Sequence, residues 1–473
     1  MHYKSVRALL FCGFLGLIAV LMAACGLQTT GETGAALLSA TAQMPFVNTS
    51  QSCPAQGQGR AAVMPAFPHP QHQSVVYLRH QNAAEILSSY DPLTGNKRDL
   101  LTIPDDIYNV EAHVSPDGHW VTIVRTAPQG QHPAIQLIRV DGKYIQTLYC
   151  SPTAEGLSGA LLSPDQRYLV FNEGKGQSMP GDALKLLDMK TGKVQTILSS
   201  LQPGYPGMAS SQQASVKSSA PVSYHLLQGG MRYASLSMPH PGQPPVTEYI
   251  PLKWASNSSV YMLGMPVIPG SGAVPHQLYQ LLDIKKPVTQ QSTDVKSITA
   301  PLKQDGCQSY DITPDHQKLI CSAYPMFGGD PTLPGVNVEP ISGGSLQSIF
   351  TAPTGSQVYA RAPRAQTILF IVNTIPTHVA RLYSINANGT GLKLLASANA
   401  SEYYYASYGN LTDLNSYLPW TNVSHDGKHY AILEGSGSGA TLTSTLIIGN
   451  VNGGAPTTVS TIHSGSIVGW TAA

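Results

Sequence analysis

Apolar residues in this chain come in short runs, and a turn signal bounds each run. The clearest case is Val114-Ser115-Pro116-Asp117-Gly118-His119-Trp120-Val121-Thr122-Ile123-Val124. The same order, apolar run, Ser/Thr-Pro-Asp turn, apolar run, recurs at Leu162–Phe171, at Ile312–Ile320 and, with His425 in place of Pro, at Val423–Ile432. Weaker copies at Trp254–Tyr261 and Ala362–Phe370 keep the runs and lose the turn. Runs this short, rich in β-branched and aromatic residues, predict strands and exclude helices. In the turn, Pro presets φ, Asp accepts backbone N–H groups and Gly takes the left-handed dihedrals. Asp117, Asp165, Asp315 and Asp426 are therefore turn-forming residues, not a catalytic set.

A second turn follows in each unit, as in Asp91-Pro92-Leu93-Thr94-Gly95, Asp141-Gly142, Asp188-Met189-Lys190-Thr191-Gly192 and Asn386-Ala387-Asn388-Gly389. Two hairpins per unit make four antiparallel strands, which is a propeller blade. Steps of 48 residues (115 to 163) and 49 residues (313 to 362) suit blades with slightly long loops. The fold class is thus all-β, a single propeller of four-stranded blades. Ser466–Trp470 reads as an inner strand with nothing after it, and Val75–Leu78 as a strand with no partner before it. Their pairing would close the ring and give seven blades. The 92-residue step from 163 to 255 leaves an alternative of eight, with residues 202–248 either an insertion or a degenerate blade.

Composition narrows the picture. Gly (44) and Pro (36) of 473 residues are abundant, charged residues are only 11% and hydrophobic residues 42%. A coiled coil or helical array is excluded, and so is a disordered chain. The net charge of +1 offers no basic surface for nucleic acid.

The N-terminus reads as an address. Lys4 and Arg7 precede the apolar run 8–22, the form of a secretory signal over residues 1–24. Leu21-Met22-Ala23-Ala24-Cys25-Gly26 resembles a bacterial lipobox, although Met22 departs from the usual Leu. That resemblance implies lipid attachment at Cys25 and an envelope location, facing outside the cytoplasm. Residues 25–73 lack a hydrophobic period and are expected to be a flexible tether, with the propeller spanning 74–473.

The topology puts both turns of every blade on one face and the longer loops on the other, where binding is expected. The richest stretch there is Glu402–Tyr408, with Tyr417 and Trp420 following. Tyr403, Tyr404, Tyr405, Tyr408, Tyr417, Trp420, Tyr324 and Phe327 are the candidate binding face, because such side chains combine apolar area with a polar handle. Packing of a long loop accounts for the same residues. No zinc-type pair, phosphate loop or nucleophile elbow is present. His132, His276 and His378 are expected on the loop face without forming a metal site, so neither metal nor cofactor is expected. In an exported protein Cys307 could pair with Cys321, across one motif turn but about two residues out of register, and Cys53 with Cys150.

The repeated Ser-Pro-Asp-Gly turn resembles that of the TolB-like, WD-like propeller family, over roughly Val75 to the C-terminus. The resemblance implies an envelope interaction module: a monomeric, non-enzymatic binder of a protein, peptide or glycan. The rivals are an extracytoplasmic hydrolase or lyase with acids at the central channel, and a small-molecule-sensing lipoprotein.

Overall fold

The structure is a computed structural model. It describes residues 51–67, 72–81, 84–104, 110–125, 132–152, 156–174, 183–199, 224–226, 232–234, 246–267, 277–286, 295–297, 307–323, 334–342, 344–374, 379–399, 404–406, 423–436, 443–462 and 465–472.

Seven four-stranded antiparallel sheets form a ring. Blade 2 shows the plan, with strands Val110–Val114, Trp120–Arg125, Ala134–Arg139 and Ile145–Cys150 from the inner edge outward. Blades 3 to 7 occupy 157–199, 246–297, 307–351, 356–399 and 404–462 in the same order. Blade 1 joins both ends of the chain: the inner strand Gly465–Trp470 pairs with Val75–His80, and Ala84–Tyr90 and Lys97–Pro104 complete it. Tyr224–Leu226 and Arg232–Ala234 form a separate two-stranded hairpin. The stretch between blades 3 and 4 is therefore an insertion, and the count is seven.

Seven hydrophobic clusters hold the described part of the ring, one at each blade–blade interface. Leu78, Leu87 and Val468 of blade 1 pack on Val121, Ile123 and Ile138 of blade 2. Val358 and Phe370 of blade 6 meet Ile320 and Val336 of blade 5. Val75, Tyr77 and Trp470 of blade 1 meet Ala431, Leu433 and Leu446 of blade 7. A middle strand is covered on both faces, so it reads as an unbroken apolar run instead of an alternation. Trp120–Arg125 is buried at five of its six positions.

The motif turn has one geometry. In blade 2 the Ser115 hydroxyl donates to Asp117, and Ser115 Oγ accepts the Trp120 N–H at 2.9 Å. Blades 3 and 7 repeat this pair of bonds at Ser163 and Ser424. The residue after Asp is left-handed in every copy: Gly118 (φ 72°), Gln166 (57°), His316 (58°) and Gly427 (64°). A Cβ on Gly118 would also lie 2.1 Å from the Ala472 nitrogen, so that site needs Gly on two counts. In blades 2 to 7 an N–H of the second turn donates to the end of the first, as Val140 to His119 and Met189 to Arg167. Both turns thus share a face.

Ring closure copies the turn without a covalent link. Ser74 N–H donates to Thr471 Oγ1 at 2.9 Å, and Thr471 N–H donates to the Ser74 carbonyl at 2.9 Å. Thr471 stands where Ser115 stands in blade 2. His425 on blade 7 contacts the Trp470 carbonyl, and Ala472 N–H donates to Gly118 on blade 2.

The expected tether is shortened by the structure. Residues 51–67 are a strap along the outer edge of blade 2. Gly57 N–H and Arg60 N–H donate to the Cys150 and Leu148 carbonyls, and Ala62 N–H donates to Met189 on blade 3. Gln146 bonds both the N–H and the carbonyl of Val63. Cys53 is disulfide-bonded to Cys150. At the far end the Arg139 guanidinium lies 4.8 Å from the Phe67 ring and 4.0 Å from the Tyr144 ring, and it pairs with Asp141. The strap explains why the outer strand Ile145–Cys150 is buried at all six positions, whereas Gln347–Thr351, the outer strand of blade 5, is largely exposed.

Candidate functional site

The four motif aspartates are committed to their turns. Asp165, Asp315 and Asp426 each accept the backbone N–H two residues on, from Arg167, Gln317 and Lys428, and Asp117 accepts that of His119. The Thr313 hydroxyl and the Gln317 amide hold the Asp315 carboxyl below its usual range against partial burial. At Asp426 partial burial pushes the pKa up, but the Ser424 hydroxyl and the Lys428 amide outweigh it and the net direction is down. Carboxylates stabilised in this way are ionised turn anchors at neutral pH.

Two further acids whose side chains are described, Glu111 and Asp311, lie on the inner strands, where a self-contained propeller enzyme would need them. The Glu111 carboxylate accepts the Gly159 N–H at 2.9 and 3.1 Å and contacts His113 Nε2 at 2.9 Å. Asp311 accepts the N–H of Ile312 at 2.8 Å and of Ala362 at 2.7 Å. Both carboxylates reach across to the next blade and terminate its unpaired inner-strand amides. They belong to blades 2 and 5, on opposite sides of the ring, and do not converge. Neither residue was singled out by sequence reasoning. The available signal was an acid inside the short run that precedes a motif turn.

Between blades 2 and 3, Tyr149 donates to Glu173 at 2.6 Å, and Lys185 pairs with the same carboxylate. Burial, then Glu173, drives the Tyr149 phenol far above its ordinary range, so it stays protonated. This trio neutralises itself. Among the described residues no group of three or more His, Cys, Asp or Glu could hold a metal ion. His132 contacts Gln56 of the strap at 2.8 Å, while His276 and His378 lie outside the described residues. Cys321 is disulfide-bonded, and its strand partner is Tyr310, with Cys307 opposite Ala323.

Of the candidate binding face, Tyr403, Tyr408, Tyr417, Trp420, Tyr324 and Phe327 lie outside the described residues. Tyr404 and Tyr405 are placed by their backbone, in Tyr404–Ala406, the inner strand of blade 7. This differs from the long loop expected over Glu402–Tyr408. Tyr404–Ala406 pairs with Leu433–Gly435, and Val423 pairs with Tyr430 in the same neighbouring strand. Ala406 and Val423 thus face positions only three residues apart, about 10 Å along that strand. Ala406 and Val423 are the described residues on either side of 407–422.

No family model matches the chain, and no curated protein matches it. Solved structures do. TolB from Acinetobacter baumannii is 12% identical with a TM-score of 0.39, covering 84% of this chain and 82% of that one. An oligogalacturonate lyase in complex with manganese is 11% identical with a TM-score of 0.43, covering 80% and 85%. The β-propeller domain of the Trilobed protease from Pyrococcus furiosus is 10% identical with a TM-score of 0.44, covering 82% and 96%. These likenesses assign no activity. The chain's own sheet order makes it a seven-bladed β-propeller whose first blade is built from both ends.

Proposed function

We propose that this protein is a lipid-anchored, non-enzymatic binding module of the bacterial envelope, held through Cys25 and recognising a protein, peptide or glycan. The observation that carries this reading is the interrupted inner strand of blade 7. A rigid seven-bladed scaffold fixes Ala406 and Val423 about 10 Å apart, and the chain between them contains Tyr408, Tyr417 and Trp420. Loops held by a rigid frame are where recognition concentrates, and such aromatic residues supply contact area at low entropic cost. The commitment of Glu111, Asp311 and the motif aspartates to backbone amides favours binding over acid–base chemistry. The low charge of the chain suits recognition by contact more than electrostatic steering.

Affinity capture from the native envelope tests this reading. The intact lipoprotein is compared with a variant in which 407–422 is replaced by a short Gly-Ser bridge. The expected result is an unchanged melting temperature with loss of the captured species. Equal capture by both proteins overturns the assignment.

A further inference from the structure

On the turn face, one arginine in each of blades 2 and 3 is matched by a carboxylate. Arg139 pairs with Asp141 at 2.7 Å and Arg167 with Asp188 at 2.7 Å. At the junction of blades 6 and 7 the cations meet backbone carbonyls instead, as Lys253 meets the Ile312 carbonyl and Lys318 the Ala387 carbonyl elsewhere in the ring. The residue before the N–H that ties the two turns is Asp188 in blade 3 and Asp283 in blade 4, but Asn386 in blade 6 and Asn450 in blade 7. Blade 6 has also lost the motif turn. Arg364 pairs directly with Thr367 across a two-residue loop, so no aspartate stands there. Two cations remain at this junction. The Arg364 guanidinium donates to the Asp426 carbonyl, and the Lys393 ammonium donates to the Asn452 carbonyl. Among the described residues neither has a carboxylate partner. The Asp426 side chain is taken by Ser424 and Lys428.

These groups border a cavity of about 200 Å³ between blades 6 and 7. Its floor includes the apolar Leu369, Ile385 and Val451, and Arg364, Lys393, Asn386 and Asn452 border it. Among the described residues no acidic side chain lines it. The volume is below the ~300–1,000 Å³ of drug-sized sites and suits a ligand near monosaccharide size. A guanidinium fork matches a carboxylate or phosphate in two bonds, and a lysine adds a second positive charge. Side-chain amides both donate and accept, which is what sugar hydroxyls require. An apolar floor accommodates the C–H face of a pyranose.

We propose that this groove binds a small hydroxylated anion, a sugar acid or sugar phosphate, with Arg364 and Lys393 on the anionic group and Asn386 and Asn452 on the hydroxyls. The proposal goes beyond the macromolecular partner above and stands on different residues.

Isothermal titration of the purified protein with galacturonate, glucose 6-phosphate and galactose tests it. At least one anion should bind saturably, with galactose weaker by about tenfold or more. Binding of galacturonate alone identifies the group as a carboxylate, and binding of glucose 6-phosphate alone as a phosphate. The Arg364→Gln/Lys393→Gln double variant should lose about tenfold or more in affinity while melting at the same temperature. If that variant fails to fold, Arg364→Lys, which keeps the charge and loses the fork, and Lys393→Gln alone should each weaken the anion selectively. The proposal is overturned if neither anion gives heat or a melting shift at about 50 mM. Galactose binding as tightly as the anions, or a folded variant binding like the parent, overturns it equally.

Discussion

Removing the strap's covalent clasp is the sharpest test of how this ring is held. The Cys53–Cys150 bond spans 97 residues, enclosing three strands of blade 1 and all of blade 2. Opening a loop of about 100 residues restores chain entropy to the unfolded state worth about 4.7 kcal/mol at 25 °C. That is an upper figure for the Cys53→Ser variant, because the strap keeps its bonds to the Cys150, Leu148 and Met189 carbonyls. Unfolding of about 400 ordered residues as one unit carries an entropy of about 0.85 kcal/mol/K. The ring should therefore melt up to about 5 °C lower in scanning calorimetry. Mutation is the cleaner perturbation, since a reductant would also open the disulfide of Cys321. Hydrogen exchange locates the effect: the Gly57, Arg60 and Ala62 amides should lose protection before those of Trp120–Arg125. An unchanged melting temperature together with unchanged protection at those three amides would show that the clasp does not restrain the strap.

Other tests address the turns and the closure. Gln166→Gly should stabilise the protein by about 0.5–1 kcal/mol, seen as a higher urea midpoint, because Gln166 is held at φ 57°. Thr471→Val removes the oxygen that accepts the Ser74 N–H at 2.9 Å, and should cost about 1–2 kcal/mol by urea unfolding. Arg139→Ala leaves Asp141, its side chain 9% exposed, without its partner and unstacks Phe67, at a cost of about 3 kcal/mol by the same measurement. Burial, with Lys253 adding to it and Asp315 opposing, lowers the His316 pKa. The unfolded chain then binds the extra proton first, so stability is complete above about pH 6.5 and falls as pH drops through the folded value. His316→Gln should flatten that part of the urea-midpoint profile. An unchanged slope between pH 5 and 7 would assign it to other groups.

The blades were legible because a propeller repeats a local event. Apolar run, Ser-Pro-Asp-Gly turn, apolar run is decided within about ten residues, and Ser115, Asp117 and Gly118 act on atoms of their own turn. Blade 7 was harder for the same reason. Its turn at Ser424 is intact, but its inner strand lies before residue 407, and neither propensity nor spacing fixes which segment pairs with Leu433. The strap left no period in residues 51–67, because it meets blade 2 through backbone amides and Gln146, not an apolar face.

Sequence by itself determined the strand class, the turn geometry and the assignment of Ser466–Trp470 to the first blade. Each depends on hydrogen bonds a few residues apart or on a repeat that leaves one strand over. Only the tertiary structure decided that there are seven blades, that the insertion between blades 3 and 4 pairs as a hairpin, and that Thr471 and Ser74 rebuild the motif turn across 397 residues. It alone showed that Glu111 and Asp311 are spent on neighbouring blades, while among the described residues Arg364 and Lys393 have no carboxylate partner. The physical reason is range. A turn is a contest among adjacent residues, whereas the partner of a charge on a blade is chosen by ring closure, which brings distant segments within bonding distance.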